Sequence, residues 1–277
     1  MRPARAIVVV TALVGCGPTN RDTPAADAPS QPDSDGSTVD TSRVYAHSGA
    51  TLYQMNSLTL ATTTIGNMTG LGTQSLTDLA IDKNDRMVGI TLDKLYDVDS
   101  TNGATTLIKD LSQAGNGFTS LSFVPKDLND PASDDILVTA TSTGDVFQID
   151  PATGDTNLLG NYGTTAAGQI RSSGDLFGVR GVGIYATVDV GDTPGNDFLA
   201  KIDPATWKAT PIGVGTGFDR IFGLGFWGGK IYGFVDLMDQ GGQMIQIDIN
   251  TGAGTLLSSS DVRWFGAGVA TDAPILQ

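Results

Sequence analysis

Residues 146–160 read VFQIDPATGDTNLLG, two short strand-like runs around a turn at Asp150-Pro151-Ala152-Thr153-Gly154. The first run alternates apolar and polar side chains, as a half-buried strand does. In the turn, the Asp carboxylate is expected to accept from a backbone N–H two residues on, Pro sets φ, and Gly supplies a positive φ. Four other stretches have the same plan: LYQMNSLTLATTTIG at 52–66, LYDVDSTNGATTLIK at 95–109, LAKIDPATWKATPIG at 199–213 and MIQIDINTGAGTLLS at 244–258. Their turn anchors, Asn56, Asp99, Asp150, Asp203 and Asp248, stand 43, 51, 53 and 45 residues apart. That period is close to a four-stranded propeller blade.

Two more strand-like runs precede each repeated hairpin from the second onward. A glycine-containing run is expected to be innermost, at 76–82, 119–124, 174–179 and 221–227. A second apolar run follows at 87–91, 136–141, 182–188 and 231–235. At the C-terminus WFGAGVATD (264–272) repeats the innermost pattern with no outer strands after it, whereas RVYAHS (43–48) and the 52–66 hairpin have outer strands and no inner one. Joining these halves completes one more blade and removes the open sheet edge. The expected fold is therefore all-β, a β-propeller of five blades of four antiparallel strands closed by pairing of the N- and C-terminal strands. Residues 43–277 give 47 residues a blade. Six blades is the alternative if an irregular stretch hides a degenerate unit.

Composition agrees with that plan. The chain has 277 residues, 36 of them Gly, and all 30 acidic residues are Asp. Asp favours turns and caps where Glu favours helix, so an Asp-only acid set speaks for short strands and many turns. It also removes any mechanism that needs a Glu acid or base. One His (His47) and one Cys (Cys16) exclude an internal disulfide and a Cys/His zinc cluster. Net charge is −14, which argues against a nucleic-acid partner, since phosphate contacts need clustered Lys and Arg.

The N-terminus carries Arg2 and Arg5, an apolar run at 6–14, then Gly15 and Cys16. This is a secretory signal pattern, too short to span a bilayer in the mature protein. Leu13-Val14-Gly15-Cys16 resembles the lipobox of bacterial lipoproteins. The resemblance implies a signal peptide at 1–15, lipidation at Cys16 and a membrane partner reached through the lipid anchor. Residues 17–42, rich in Pro, Asp, Ser and Thr, are expected to form a disordered tether. Gly17 is not the Asp linked with inner-membrane retention, so the implied location is the cell envelope, at the outer membrane where the organism has one. The L-x-x-I-D-P-A-T-G turns likewise resemble the propeller-type repeats of secreted and surface-anchored bacterial proteins, a likeness that implies fold over 43–277 and no activity.

Three sets of residues are candidates for chemistry. Aligned inner strands place Asp78, Ser120, Asp175, Gly223 and Gly266 at equivalent positions, so two carboxylates and a hydroxyl are expected near the channel, holding a polar ligand or capping backbone N–H groups. The loop DVGDTPGND (189–197) offers Asp189, Asp192, Asn196 and Asp197 as oxygen ligands for Ca²⁺, and Asp236 and Asp239 repeat its D-x-x-D spacing. An Asp-rich insertion at 125–135 (Asp127, Asn129, Asp130, Asp134, Asp135) is a third acidic loop. Trp227 is expected either to pack between blades with the neighbouring aromatics or to form a carbohydrate-stacking platform. The leading functional reading is a monomeric, non-enzymatic binding or scaffolding module for a protein or glycan, with Ca²⁺ as the cofactor to test. The alternative is a glycan-active hydrolase or lyase using Asp78 and Asp175 across the channel.

Overall fold

The structure is a computed structural model, which describes residues 41–111, 117–192 and 195–276. The signal pattern, Cys16 and the tether up to residue 40 lie outside the described residues. The blades fall in one compact unit, Val39–Gln277.

Five antiparallel sheets form the blades. Blade 1 runs β4 (Asp78–Ile81), β5 (Met87–Ile90), β6 (Lys94–Val98), β7 (Thr105–Asp110) from the axis outward. Blade 2 is β8 (Ser122–Pro125), β9 (Asp135–Ala140), β10 (Asp145–Ile149), β11 (Thr156–Asn161). Blade 3 is β13 (Gly168–Val179), β14 (Gly183–Val190), β15 (Phe198–Ile202), β16 (Ala209–Pro211), with the two-residue β12 (Thr164–Thr165) added beside β13. Blade 4 is β17 (Ile221–Trp227), β18 (Lys230–Asp236), β19 (Gly242–Ile247), β20 (Gly254–Ser260). Blade 5 closes the ring with β21 (Gly266–Val269) inside β1 (Thr41–His47), β2 (Thr51–Asn56) and β3 (Thr62–Asn67). Val44 pairs with Val269 and His47 with Gly266, the terminal closure expected from the repeat. The inner strands touch in the cyclic order β4, β8, β13, β17, β21 and back to β4.

The repeated turns are built alike. Each anchor side chain accepts from the backbone N–H two residues on: Leu58 on Asn56, Thr101 on Asp99, Ala152 on Asp150, Ala205 on Asp203 and Asn250 on Asp248, all at 2.7–3.0 Å. Each anchor carbonyl also accepts from the N–H four residues on, at Leu60, Gly103, Gly154, Trp207 and Gly252. All five of those residues have positive φ, so the geometry persists even where Leu or Trp replaces Gly. Hydrogen bonds to the Asp99, Asp203 and Asp248 carboxylates hold them below the usual carboxylate range.

Apolar side chains fill the spaces between blades. Phe177 stacks on Tyr185 (5.6 Å) and on Phe226 (5.8 Å), joining blades 3 and 4. Trp264 meets Tyr53 and Phe234 edge-on at 5.2 and 5.4 Å, joining blades 5 and 4. Aromatic pairs of this geometry contribute about 0.5–1.5 kcal/mol each beyond their buried area.

Candidate functional site

The inner strands bring the equivalent residues together. Asp78, Ser120 and Asp175 are all fully buried. The Asp78 carboxyl accepts from its own neighbour Leu79 N (2.9 Å) and from Leu121 N of blade 2 (2.7 Å). Asp175 does the same with Leu176 N (2.6 Å) and Leu224 N of blade 4. Each carboxyl therefore staples its blade to the next. Ser120 serves its own blade: its Oγ accepts from Ala140 N at 2.9 Å. Asp78 and Asp175 also hydrogen-bond to each other, and burial pushes both well above the usual carboxylate range, Asp78 further because of the Asp175 charge.

His47 borders this pair. Its Nδ1 donates to Ser48 O at 2.9 Å, and its buried Nε2 has no partner. A Cβ on Gly266 would lie 2.5 Å from both His47 Nε2 and Asp78 Oδ1, so only glycine fits where the two approach. Burial pulls the imidazole down to about 4, and it is neutral near pH 7.

One residue before the buried ring comes a second ring: Thr77, Thr119, Gly174, Phe222 and Phe265. All five line a cavity of about 500 Å³ at the end of the channel where the chain enters the inner strands. Residues 74–76, Thr91 and Leu92 form more of its wall, and Arg220, Arg263 and Asp236 are its charged groups. Arg220 and Arg263 occupy the same place in blades 4 and 5, three residues before Gly223 and Gly266. Asp236, at the end of β18, is 1% exposed and is held by both. Arg263 binds it through Nε and Nη2, each at 2.8 Å, Arg220 pairs with it through Nη2, and Met238 N donates at 3.1 Å. Burial pushes the Asp236 carboxyl up, but the hydrogen bonds from Arg263 and Arg220 outweigh that and hold it below its usual range. Each guanidinium also lies over a phenyl ring, Arg220 over Phe222 at 5.1 Å and Arg263 over Phe265 at 5.2 Å.

At the other end of the inner strands lies a buried ion pair. Asp135 bonds Arg180 (2.5 Å), Thr271 Oγ1 (2.7 Å) and Lys83 N (3.1 Å), and so links four blades. Of the acidic insertion at 125–135, this residue is the clamp. Asp127 and Asp130 cap their own loop at Asn129 N and Ala132 N, and Asp134 pairs with Lys126.

The 189–197 loop residues take separate tasks. Asp192 is a fully exposed partner of Arg171. Asn196 donates to Val214 O and accepts from Gly217 N. Asp197 is buried and accepts from Ile221 N at 2.8 Å, and burial pushes it up to about 7. Burial also raises Asp189, which lies near Arg171 and Asp219. Among the described residues no three His, Cys, Asp or Glu side chains are grouped to hold a metal ion. Trp227 is half-buried against the main core cluster, at the end of β17 remote from the cavity.

Sequence reading did not single out the arginine pair or the two phenyl rings as a site. The signal was present as R-x-F at 220–222 and 263–265, at equivalent places in adjacent blades.

No family model matches the chain, and no curated protein matches it. Among solved structures, one similar chain is a structural-genomics protein of unknown function from Bacteroides thetaiotaomicron, at 13% identity and TM-score 0.50. The alignment covers 82% of this chain and 64% of that one, so this chain spans less than two thirds of its length. Another comes from work on the de novo evolutionary emergence of a symmetrical protein, at 17% identity and TM-score 0.50, covering 84% of this chain and 99% of that one. At these identities the likeness is one of fold, and the fold these comparisons and the sheet order support is a five-bladed all-β propeller.

Proposed function

We propose that this chain is a lipid-anchored, extracytoplasmic binding module whose ligand sits in the cavity at the channel mouth, and that it does no covalent chemistry there. The observation that carries the reading is a preformed recess of about 500 Å³ whose charged side chains are already fixed to one another. That volume lies in the range of small-molecule sites. Two guanidiniums locked on a buried carboxylate supply orientation and no nucleophile. The glycan-hydrolase alternative needs two carboxyls spaced about 5 Å apart or more around a glycosidic bond. Asp78 and Asp175 are instead buried, bonded to each other and spent on backbone amides. The lipobox-like stretch at 13–16 supports anchoring through Cys16, with residues 17–40 as spacer; Thr41 and Ser42, expected in the tether, instead begin β1.

Ligand-detected NMR of the full chain against a fragment library tests the site. Hits should disappear in Ser75→Trp or Leu92→Trp, which add bulk at the cavity wall, and should be recovered chemically unchanged. Hits that bind both variants as well as wild type, or that are turned over, would refute the reading. Labelling with palmitate that persists in Cys16→Ala would refute the anchor.

A further inference from the structure

We infer that the cavity recognises a small organic monoanion, a carboxylate carried on an apolar body, with Arg220 and Arg263 receiving the charged head and Phe222 and Phe265 the body. The inference rests on the binding-site reading above and adds the chemical class of the ligand.

Charge comes first. The chain as a whole carries −14, yet the charged groups lining the cavity are two guanidiniums and one carboxylate, an excess of one positive charge. The carboxylate is not available to a ligand. Asp236 is buried and accepts from Arg263, Arg220 and Met238, so its lone pairs are used inside the wall. The arginines are less fully committed. Arg263 uses Nε and Nη2 on Asp236, Arg220 uses Nε and Nη2 on the same residue, and among the described residues neither Nη1 bonds a protein acceptor. Side-chain exposures of 42% and 29% leave both open to solvent. A guanidinium pinned on one side and open on the other is oriented for charge-assisted bonds to an anion, with little rotamer entropy left to lose.

The remaining wall decides what the anion is attached to. Phe222, Phe265, Leu76 and Leu92 present apolar surface, while Thr77 spends its hydroxyl on Ile90 O and Phe118 O and Thr119 spends its own on Ala140 O. A polyhydroxylated neutral ligand would find few free partners on these threonines. Bare inorganic anions would leave the phenyl surface wet. A ring or short chain bearing one carboxylate matches both halves.

The test uses matched pairs on the full chain: phenylacetate and indole-3-acetate, their primary amides, and a panel of neutral oligosaccharides, titrated calorimetrically at two salt concentrations. The acids should bind, and their affinity should fall with added salt. The amides should bind about ten- to a hundredfold more weakly, as should the acids to Arg263→Gln, since a hydrogen bond to a charged group contributes about 1.5–3 kcal/mol. Arg263 is half-exposed and Arg220 still pairs with Asp236 in this variant, whose urea midpoint checks that it folds. Equal binding of acid and amide, or a neutral saccharide displaced by Ser75→Trp, would overturn the anion inference while leaving the cavity as a binding site. Binding of no probe in a Ser75→Trp-sensitive way would overturn both.

Discussion

The buried carboxyls of Asp78 and Asp175 hydrogen-bond to each other across the channel, although their blades are not neighbours in the ring. Each of the two also takes a backbone N–H from the blade that follows its own. Four of the five blades are thereby tied at the axis by two side chains, through backbone amides and each other. Low surrounding polarity makes such bonds strong and their loss costly.

Removing one member should show that cost. Asp78→Ala leaves Leu79 N, Leu121 N and the Asp175 carboxyl short of a partner, and unmet buried groups cost about 1–3 kcal/mol each. A loss of at least about 3 kcal/mol in urea unfolding is expected. Asp78→Asn keeps a donor for Asp175 but only one acceptor oxygen for two amides, and should lose less. Equal stability of wild type and Asp78→Ala would refute the stapling role.

Asp197 should make the protein less stable as pH rises. Its folded pKa of about 7 lies above the unfolded value near 3.9, so between those limits the folded chain holds a proton that the unfolded chain has lost. This contribution is fully present below about pH 4, falls through the window and is flat above about pH 7. The span is on the order of 4 kcal/mol. Asp197→Asn should flatten the difference in urea midpoint between pH 5 and pH 8. An unchanged difference would remove Asp197 as the cause.

His47 should act in the opposite sense. Its folded pKa of about 4 is below the unfolded 6.5, so its contribution is present above pH 6.5 and is lost as pH falls toward 4. At pH 5.5 the imidazole ¹⁵N shifts should be those of a neutral ring protonated on Nδ1, the nitrogen bonded to Ser48 O. Imidazolium shifts at that pH would contradict the burial. Gly266→Ala, which forces a Cβ between His47 and Asp78, should destabilise by about 1–3 kcal/mol.

At the other channel end, Asp135→Ala should cost about 3–5 kcal/mol, because it strands the Arg180 guanidinium, whose side chain is 9% exposed, without its counter-charge. Asp130→Ala in the same insertion removes only a local cap and should change stability by less than about 1 kcal/mol. Similar urea midpoints for the two variants would refute the distinction.

The repeat, the blade count and the terminal closure were legible in the sequence because turn chemistry is local. An Asp or Asn at the anchor, and a residue able to take positive φ four positions later, recur wherever a hairpin must close. Asp78, Ser120 and Asp175 could be placed together for the same reason, since equivalent residues of a repeat share a radius from the axis. Their chemistry could not. Whether two carboxyls at one radius face a ligand or each other depends on which neighbouring amides they reach, and Leu121 and Leu224 are 43 and 49 residues away in the chain.

The loops show the same division. Nothing local distinguishes Asp135 from Asp134, yet one is buried against Arg180 and the other is exposed beside Lys126. The oxygen-rich 189–197 stretch suggested one shared centre, but Asn196 and Asp197 turn to backbone groups at 214–221, which the spacing of the loop does not reveal. From sequence alone follow the all-β class, the five-fold repeat and the structural duty of most Asp residues, since strand alternation and Asx turns act over a few residues. Only the tertiary structure decided that Arg220 and Arg263, from adjacent blades, converge on Asp236 to make a cationic cavity wall, because that requires β21 to pack beside β17 and one carboxylate to be buried between side chains 16 and 27 residues away from it.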